Sequence, residues 1–432
     1  MDWGVFSYRR RQKRFFLIIL LGMLVVAFSV VDAIDNGAIP DENSILPENN
    51  VSLVNTQNLS SIQPVTISLL TPLQQNSQQS FPRIFNAYIV WIDVHSGNPS
   101  IHFYNLPEGI EEEIISDFSA DSSIIPNIYQ NSIVWQGSDG QNTSIQVHDI
   151  DTGLDYVVVT DQFSSPSSPD LFRENVVWSE WRYDSSDIFL KNLKTGEETL
   201  LTPNTPDSDD STPSINGDTV VWQGVNHENF TSDIYLLNIS SGERVLITPF
   251  TPDSNEAFPR VYDHFVVFQS MGTDFMQDIL LYNIDTGETI ILTPDTPLTN
   301  EEYPYIYGDK VVWSGQNPDS GTTDIYLYNI TTQETFLLTP NTPDTSQYFP
   351  SIYENRVVWQ QEDPDTGYWD IYMATLGIEK PPLVAEFGVN TTSGGIPFAI
   401  QFSDQSLGEA SNWLWDFGDG ENSREKNPEH TY

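Results

Sequence analysis

The sequence predicts an all-β protein whose body is a seven-bladed β-propeller. Three observations point there. A stretch of 43 to 46 residues is written seven times, each copy divides into four strand-like runs, and the strand missing from the last copy stands ahead of the first. A fixed period in the 20 to 50 range decides architecture before any single residue does.

The repeat is anchored by recurring landmarks. An apolar run closes at Trp91, Trp135, Trp178, Trp222, Phe268, Trp313 and Trp359. Ahead of it stands a proline, at Pro82, Pro126, Pro169, Pro213, Pro259, Pro304 and Pro350. An Asp-Ile-Tyr-Leu-like run returns at Asp187, Asp233, Asp278, Asp324 and Asp370. In the copy spanning residues 303–340, Tyr305 to Tyr307 reads as the first strand and Gly308-Asp309 as a tight hairpin turn. Lys310 to Ser314 is the second strand, rich in the β-branched and aromatic residues that suit a pleated surface. Gln316 to Thr323 is a polar loop, Asp324 to Asn329 the third strand, and Glu334 to Leu338 the fourth, stopped by Thr339-Pro340. No helical period occurs in the repeat.

A four-stranded sheet with two apolar faces buries both only between neighbours, so seven of them in sequence call for a ring. The seventh copy lacks a fourth strand after Asp370. Thr66 to Pro72 carries the missing pattern, and Pro72 stands ten residues before Pro82, the spacing found between Pro203 and Pro213 and between Pro340 and Pro350. The N-terminal segment is therefore expected to complete the last blade. An open solenoid would leave two greasy faces bare.

In chain order, Arg9 to Arg14 is basic and Phe15 to Val31 is free of charge, the order of an export signal, with small residues for cleavage after Ala33. That run is long for a signal and short for a spanning helix, which needs about 20 residues, so both a cleaved leader (1–33) and a retained anchor stay open. Either way the repeats are exported, and the membrane is touched only through this segment. Residues 34–63 are polar and aperiodic, a tether of disordered character. The propeller is expected over residues 64–380.

The 432 residues hold 17 basic and 61 acidic side chains, a formal net charge of −44, and no cysteine. Disulfides and thiolate metal sites are thus excluded, and stability rests on packing. Without residues 1–33, 12 basic residues face 59 acidic ones, a net of −47. Such a surface repels nucleic acid and anionic lipid and gathers cations. General solvation is one explanation and Ca²⁺ binding by acidic loops the other, although no loop has the spaced ligand set of an EF-hand. No other cofactor is indicated. Seven Asn-x-Ser/Thr acceptors, at Asn50, Asn58, Asn142, Asn229, Asn238, Asn329 and Asn390, permit glycosylation.

Two groups of residues are candidate sites. The residue after each repeat proline varies while its neighbours stay fixed: Arg83, Asn127, Asp170, Ser214, Arg260, Tyr305 and Ser351. These are expected to ring the mouth of the central channel, either reading a ligand or forming a solvated rim. The third copy adds Trp181, Arg182 and Tyr183, an aromatic patch suited to a sugar ring or a protein partner. The long Asp- and Pro-rich loops should share one face, the expected contact surface. Six scattered histidines form no metal motif, and neither a Gly-x-Ser-x-Gly elbow nor a phosphate loop is present.

The run from Tyr303 to Trp313 followed by Asp324 to Asn329 resembles the TolB-type propeller repeat found in surface proteins of methanogenic archaea, over roughly Thr66 to Met373. It departs from bacterial TolB in lacking the Ser-Pro-Asp-Gly turn and an extra α/β domain. After Pro381-Pro382, the runs Ala385 to Phe387, Gly395 to Ser406, Trp413 to Gly420 and Asn427 to Tyr432 resemble a PKD domain, a β-sandwich of extracellular proteins, over residues 381–432. That family continues with two more strands beyond the position of Tyr432. These resemblances imply an exported, surface-located, non-enzymatic binding or structural protein, with a protein or carbohydrate of the cell envelope as partner. A carbohydrate-active enzyme, lyase or glycosidase, using the propeller mouth is the alternative.

Overall fold

The computed structural model describes residues 51–53, 66–71, 77–95, 98–114, 125–139, 141–161, 164–182, 185–203, 208–226, 230–248, 254–272, 275–294, 299–317, 321–339, 345–377, 387–390, 397–405, 414–419 and 421–431. The leader (1–33) and most of the expected tether lie outside them. Among the described residues, no helix is long and apolar enough to cross a membrane.

Seven antiparallel sheets of four repeat strands form the blades. Their inner strands are Ser77–Phe85, Asn127–Tyr129, Ser165–Phe172, Ser208–Asn216, Asn255–Tyr262, Glu301–Tyr307 and Gln347–Tyr353. The last blade is completed by Thr66–Leu69, paired antiparallel with Trp369–Thr375 so that Leu69 faces Tyr372. Seven apolar clusters fill the seven interfaces between neighbouring blades. The one joining the last blade to the first contains Val358 and Ile371 from one side and Ile84, Ile89 and Trp91 from the other. Trp91, Trp135, Trp178, Trp222 and Trp359 are fully buried, as is Phe268 in the fifth blade.

The repeated residues each have a local reason. The proline sits at a β-bulge in six blades, with register shifts at Ser80/Arg83, Ser167/Asp170, Ser211/Ser214, Ala257/Arg260, Glu302/Tyr305 and Tyr348/Ser351. An unpaired bulge position tolerates the missing N–H. The residue before each of these prolines adopts a positive φ, 48° to 57° from Phe81 to Phe349. In two blades the amide freed there is satisfied by the neighbouring blade: Phe81 N–H donates to Gln360 Oε1 and Tyr303 N–H to Gln269 Oε1, both at 3.0 Å. These bulges make the inner strands longer than the sequence pattern implies, Glu301–Tyr307 instead of 305–307, because a bulge breaks the period-2 alternation. The Asn that ends the third strand caps the next turn: Asn192, Asn238, Asn283 and Asn329 each accept a backbone N–H three residues on. Asn238 and Asn329 are also glycosylation acceptors by sequence; their Oδ1 atoms accept in these turns, and Asn329 is buried.

Where a blade carries the Thr-Pro ending, the Thr ties its outer strand to the third strand. In four blades the Thr hydroxyl accepts an N–H from the third strand and donates to its Asp. In the sixth, Ile325 N reaches Thr339 Oγ1 at 2.8 Å, and Thr339 Oγ1 reaches Asp324 at 3.4 Å. Thr71, from the N-terminal segment, repeats the first contact toward Ile371 N at 3.4 Å. Two expectations are corrected. The tether is not wholly without structure, since Val51–Leu53 runs parallel beside Thr289–Ile291 as a fifth strand; an outer strand offers unpaired backbone groups to any extended segment in reach. The second and third strands of the sixth blade also extend into the expected loop, with Gln316 paired to Thr323.

The blades bury poorly partnered acids as well. Asp210 stands beside Thr202 and Trp222, yet neither of its oxygens has a donor in hydrogen-bonding geometry, and Glu256 and Asp370 each leave one oxygen without a partner. Burial pushes their pKa values up to about 6, 7 and 6, since an ionised carboxylate loses its hydration there. A carboxyl with a raised folded pKa contributes stability while protonated. That contribution is full below about pH 4, the unfolded value, and is lost as pH climbs through about 6 to 7. Thermal melts should therefore show a higher Tm at about pH 5 than at about pH 8, and Asp210→Asn should flatten part of that dependence. Equal Tm values at the two pH values would contradict the placement of these acids.

The C-terminal described segments form a three-stranded sheet, Phe387–Val389, Ala399–Asp404 and Glu429–Thr431, and a two-stranded ribbon, Trp415–Asp416 with Asn422–Ser423. Phe402 packs on Phe387, Trp415 and Phe417, and the His430 ring stacks on Phe417 at 4.1 Å while its Nε2 meets Asp419 at 2.7 Å.

Candidate functional site: the central channel

The inner strands alternate, so every second residue belongs to the same level of the channel wall. The seven varying residues form one such level, and two positions further on stand Phe85, Tyr129, Phe172, Asn216, Tyr262, Tyr307 and Tyr353. Between these levels and the hairpin turns lies a cavity of about 320 Å³. Asp170, Ser214, Arg260 and Tyr305 line it, together with the seven residues of the second level and Asp263. Four of the seven varying residues thus line the cavity, and in each of these four blades a bulge inserts extra chain before them. The cavity extends toward the short-turn end of the strands, away from the long loops expected to carry contact.

Several of the varying residues hold the ring together. Asp170 accepts the Ile215 N–H of the next blade at 3.0 Å, Ser214 that of Val261 at 3.4 Å, and Ser351 that of Ile84 at 3.3 Å. Asn127 donates to Pro169 O at 2.8 Å and accepts from Arg83 Nε at 3.3 Å. Arg83, Asn127 and Ser351 do not line the cavity. The second level is a girdle of rings in contact: Phe85 meets Tyr129 and Tyr353, each at 4.6 Å, Tyr129 meets Phe172 at 4.7 Å, and Tyr307 lies between Tyr262 and Tyr353 at 4.7 and 4.5 Å. Asn216 interrupts it. The sequence carries this girdle in plain view as the aromatic two places after each varying residue, a signal hidden beneath the stronger apolar repeat.

The electrostatics of the channel run against those of the chain. The Arg83 guanidinium lies 5.2 Å from the centre of the Tyr305 ring and that of Arg260 5.7 Å from the same centre. Burial first, and the like charge of Arg260 second, lower the Arg83 pKa to about 10. Burial also raises the Tyr305 phenol.

The expected aromatic patch of the third blade is built differently. Arg182 pairs with Glu180 at 2.8 and 3.0 Å and covers the Phe189 ring at 4.1 Å. Glu180 is fully buried and accepts the Trp178 indole N–H at 2.9 Å. Burial works to raise its carboxyl, but these bonds outweigh it and hold the group below the usual range. The charge of Arg182 is therefore engaged within the blade, Trp181 is half-buried, and Tyr183 lies outside the described residues. Of the long loops, 204–207, 249–253, 295–298, 318–320 and 340–344 also lie outside. In the loop that is described, Asp363 accepts the N–H groups of Asp365 and Thr366, an Asx turn. Among the described residues, no three His, Asp or Glu side chains converge as metal ligands.

Comparison with known proteins follows these two parts of the chain. Residues 379–432 match the PKD domain family. Curated protein sequences give no match. Among solved structures, the chain is similar to an oligogalacturonate lyase from Vibrio parahaemolyticus, with 12% identity, a TM-score of 0.54, and coverage of 74% of this chain and 96% of that one. It is also similar to an acylaminoacyl peptidase from Pyrococcus horikoshii, with 13% identity, a TM-score of 0.52, and coverage of 76% and 57%. TolB from Acinetobacter baumannii matches at 15% identity and a TM-score of 0.40, over 68% and 80%. At these identities the likeness shows the fold alone. The expectation of a non-enzymatic protein is corrected by the same finding: lyase and peptidase chains stand among the structural neighbours, so a propeller of this kind gives no ground for excluding catalysis. The absence of sequence motifs had carried that expectation, and a site assembled from seven separated strands leaves no linear motif. The PKD module is compatible with a surface or envelope protein.

Proposed function

We propose that the chain is an exported cell-surface protein whose propeller binds a glycan of the cell envelope in the central channel, with the PKD module as its extracellular attachment. One observation carries this reading. Repeats that keep their core residues alike have diversified the channel wall around a cavity of about 320 Å³, the low end of the roughly 300 to 1,000 Å³ range of small-ligand sites. Rings at the girdle offer flat faces for a sugar. Export rests on the basic and apolar run at residues 9–31.

Asn216→Tyr tests the site. Six blades already hold Phe or Tyr at this position, so the ring accepts the residue while the cavity narrows. On a glycan array, the unaltered protein should retain defined glycans and the variant should lose them by about tenfold or more, the loss of roughly one good contact. Undiminished binding by a folded variant would place the ligand elsewhere.

A further inference from the structure

We infer that the channel cavity selects a ligand carrying a single carboxylate, which the Arg260 guanidinium receives beside Tyr305 with the charge of Arg83 behind it. The inference rests on the channel as the binding site and adds the chemical class of what enters.

The first ground is the placement of charge. A chain with 17 basic residues among 61 acidic ones brings two guanidiniums, from the first and fifth blades, onto one tyrosine ring in the sixth. Arg83 is 5% exposed. Its Nη1 donates to Pro82 O at 2.9 Å and its Nε to Asn127, both neutral acceptors. Among the described residues neither guanidinium forms an ion pair with a carboxylate, although surface pairs such as Lys310 with Asp309 do form. Two like charges held in a poorly hydrated space cost free energy that an entering anion relieves.

The second ground is the charge count. Asp170 lines the same cavity, and both its oxygens accept backbone N–H groups, from Leu171 at 2.9 Å and Ile215 at 3.0 Å. Asp263 stands at the solvent end, where its side chain is 66% exposed and meets His264 at 3.3 Å, so water screens its charge from the interior. Two guanidiniums and one carboxylate thus leave the inner level with a formal single positive charge. A monocarboxylate neutralises it, whereas a phosphate dianion overshoots and meets Asp170. Arg260 matches a planar carboxylate through two parallel N–H donors. The rings of Tyr262, Tyr307 and Tyr353 then face the body of the ligand, so a carboxylate on a ring or apolar body fits better than a bare anion.

Thermal melts of the full chain at fixed ionic strength test this with benzoate, glucuronate, glucose and inorganic phosphate. Benzoate and glucuronate should raise Tm, while glucose and phosphate should leave it within error. Arg260→Gln should weaken the carboxylate response by about tenfold to a hundredfold in apparent Kd, the range expected for one charge-assisted contact. Arg260→Lys should restore part of it, and circular dichroism would establish that both variants fold. Arg83→Gln should weaken it less. Phosphate acting as well as the carboxylates, an Arg260→Gln variant that folds and responds fully, or no response to either carboxylate would each overturn the inference. If glycans bind the array and are lost in Asn216→Tyr while Arg260→Gln changes nothing, the channel reading stands and the carboxylate falls.

Discussion

Deleting residues 66–71 is expected to lower Tm by about 10 °C and to split the single unfolding transition, because the ring would open where it closes. Four backbone pairs from Thr66 to Leu69 would vanish, Leu70 would leave the cluster that joins the last blade to the first, and Thr71 would no longer meet Ile371 and Gln79. Loss of the half-buried Leu70 and of these backbone and side-chain hydrogen bonds amounts to about 4 to 6 kcal/mol. At about 2 °C per kcal/mol for a large domain, the shift is of the stated size. The edge of Trp369–Thr375 would then offer unpaired backbone groups, so self-association should increase. Calorimetry and light scattering check both outcomes, and an unchanged, single transition would mean that closure contributes nothing to stability.

The second large effect separates tryptophans that look equivalent in the repeat. Trp135→Ala should cost about 3 to 5 kcal/mol, the range for emptying an aromatic core position. Trp135→Phe should cost far less, since the fifth blade already carries Phe268 in that place and the Trp135 indole N–H has no partner to lose. Trp178→Phe is expected to cost more than Trp135→Phe by about 1 to 3 kcal/mol, because it takes the indole donor from the buried Glu180 carboxylate. Chemical denaturation of the three variants measures the difference. Equal costs for the two Phe variants would show that the hydrogen bond to Glu180 contributes no net stability.

Much of this architecture was legible because a repeat multiplies a weak signal. One run such as Lys310 to Trp313 is ambiguous between strand and buried helix, but seven of them at near-constant spacing are not. The ring closure was legible for the same reason: Leu70-Thr71-Pro72 has the spelling and spacing of the endings at Pro203 and Pro340. The bulges were not, since a residue such as Phe349 at φ 56° looks unremarkable in sequence and owes its backbone to the bulge that the following proline occupies. The channel wall was legible in part. Variation after the proline marked the channel level, yet the girdle two residues on, the cavity between them and the end toward which it extends depend on where each strand stands relative to the axis.

By itself the sequence determined the number of blades, the strand that joins the two ends, the identity of the core and the PKD-like character of the C-terminal segment. Each of these follows from local period and from apolar faces that must be covered. Only the tertiary structure decided that Arg83 and Arg260 converge on Tyr305, that Arg182 is engaged by Glu180, and that Asp170 and Ser214 bind backbone across blades. Side chains as distant in the chain as Arg83 and Tyr305 meet at the axis of a ring, and no local pattern encodes which of them a closed circle brings face to face.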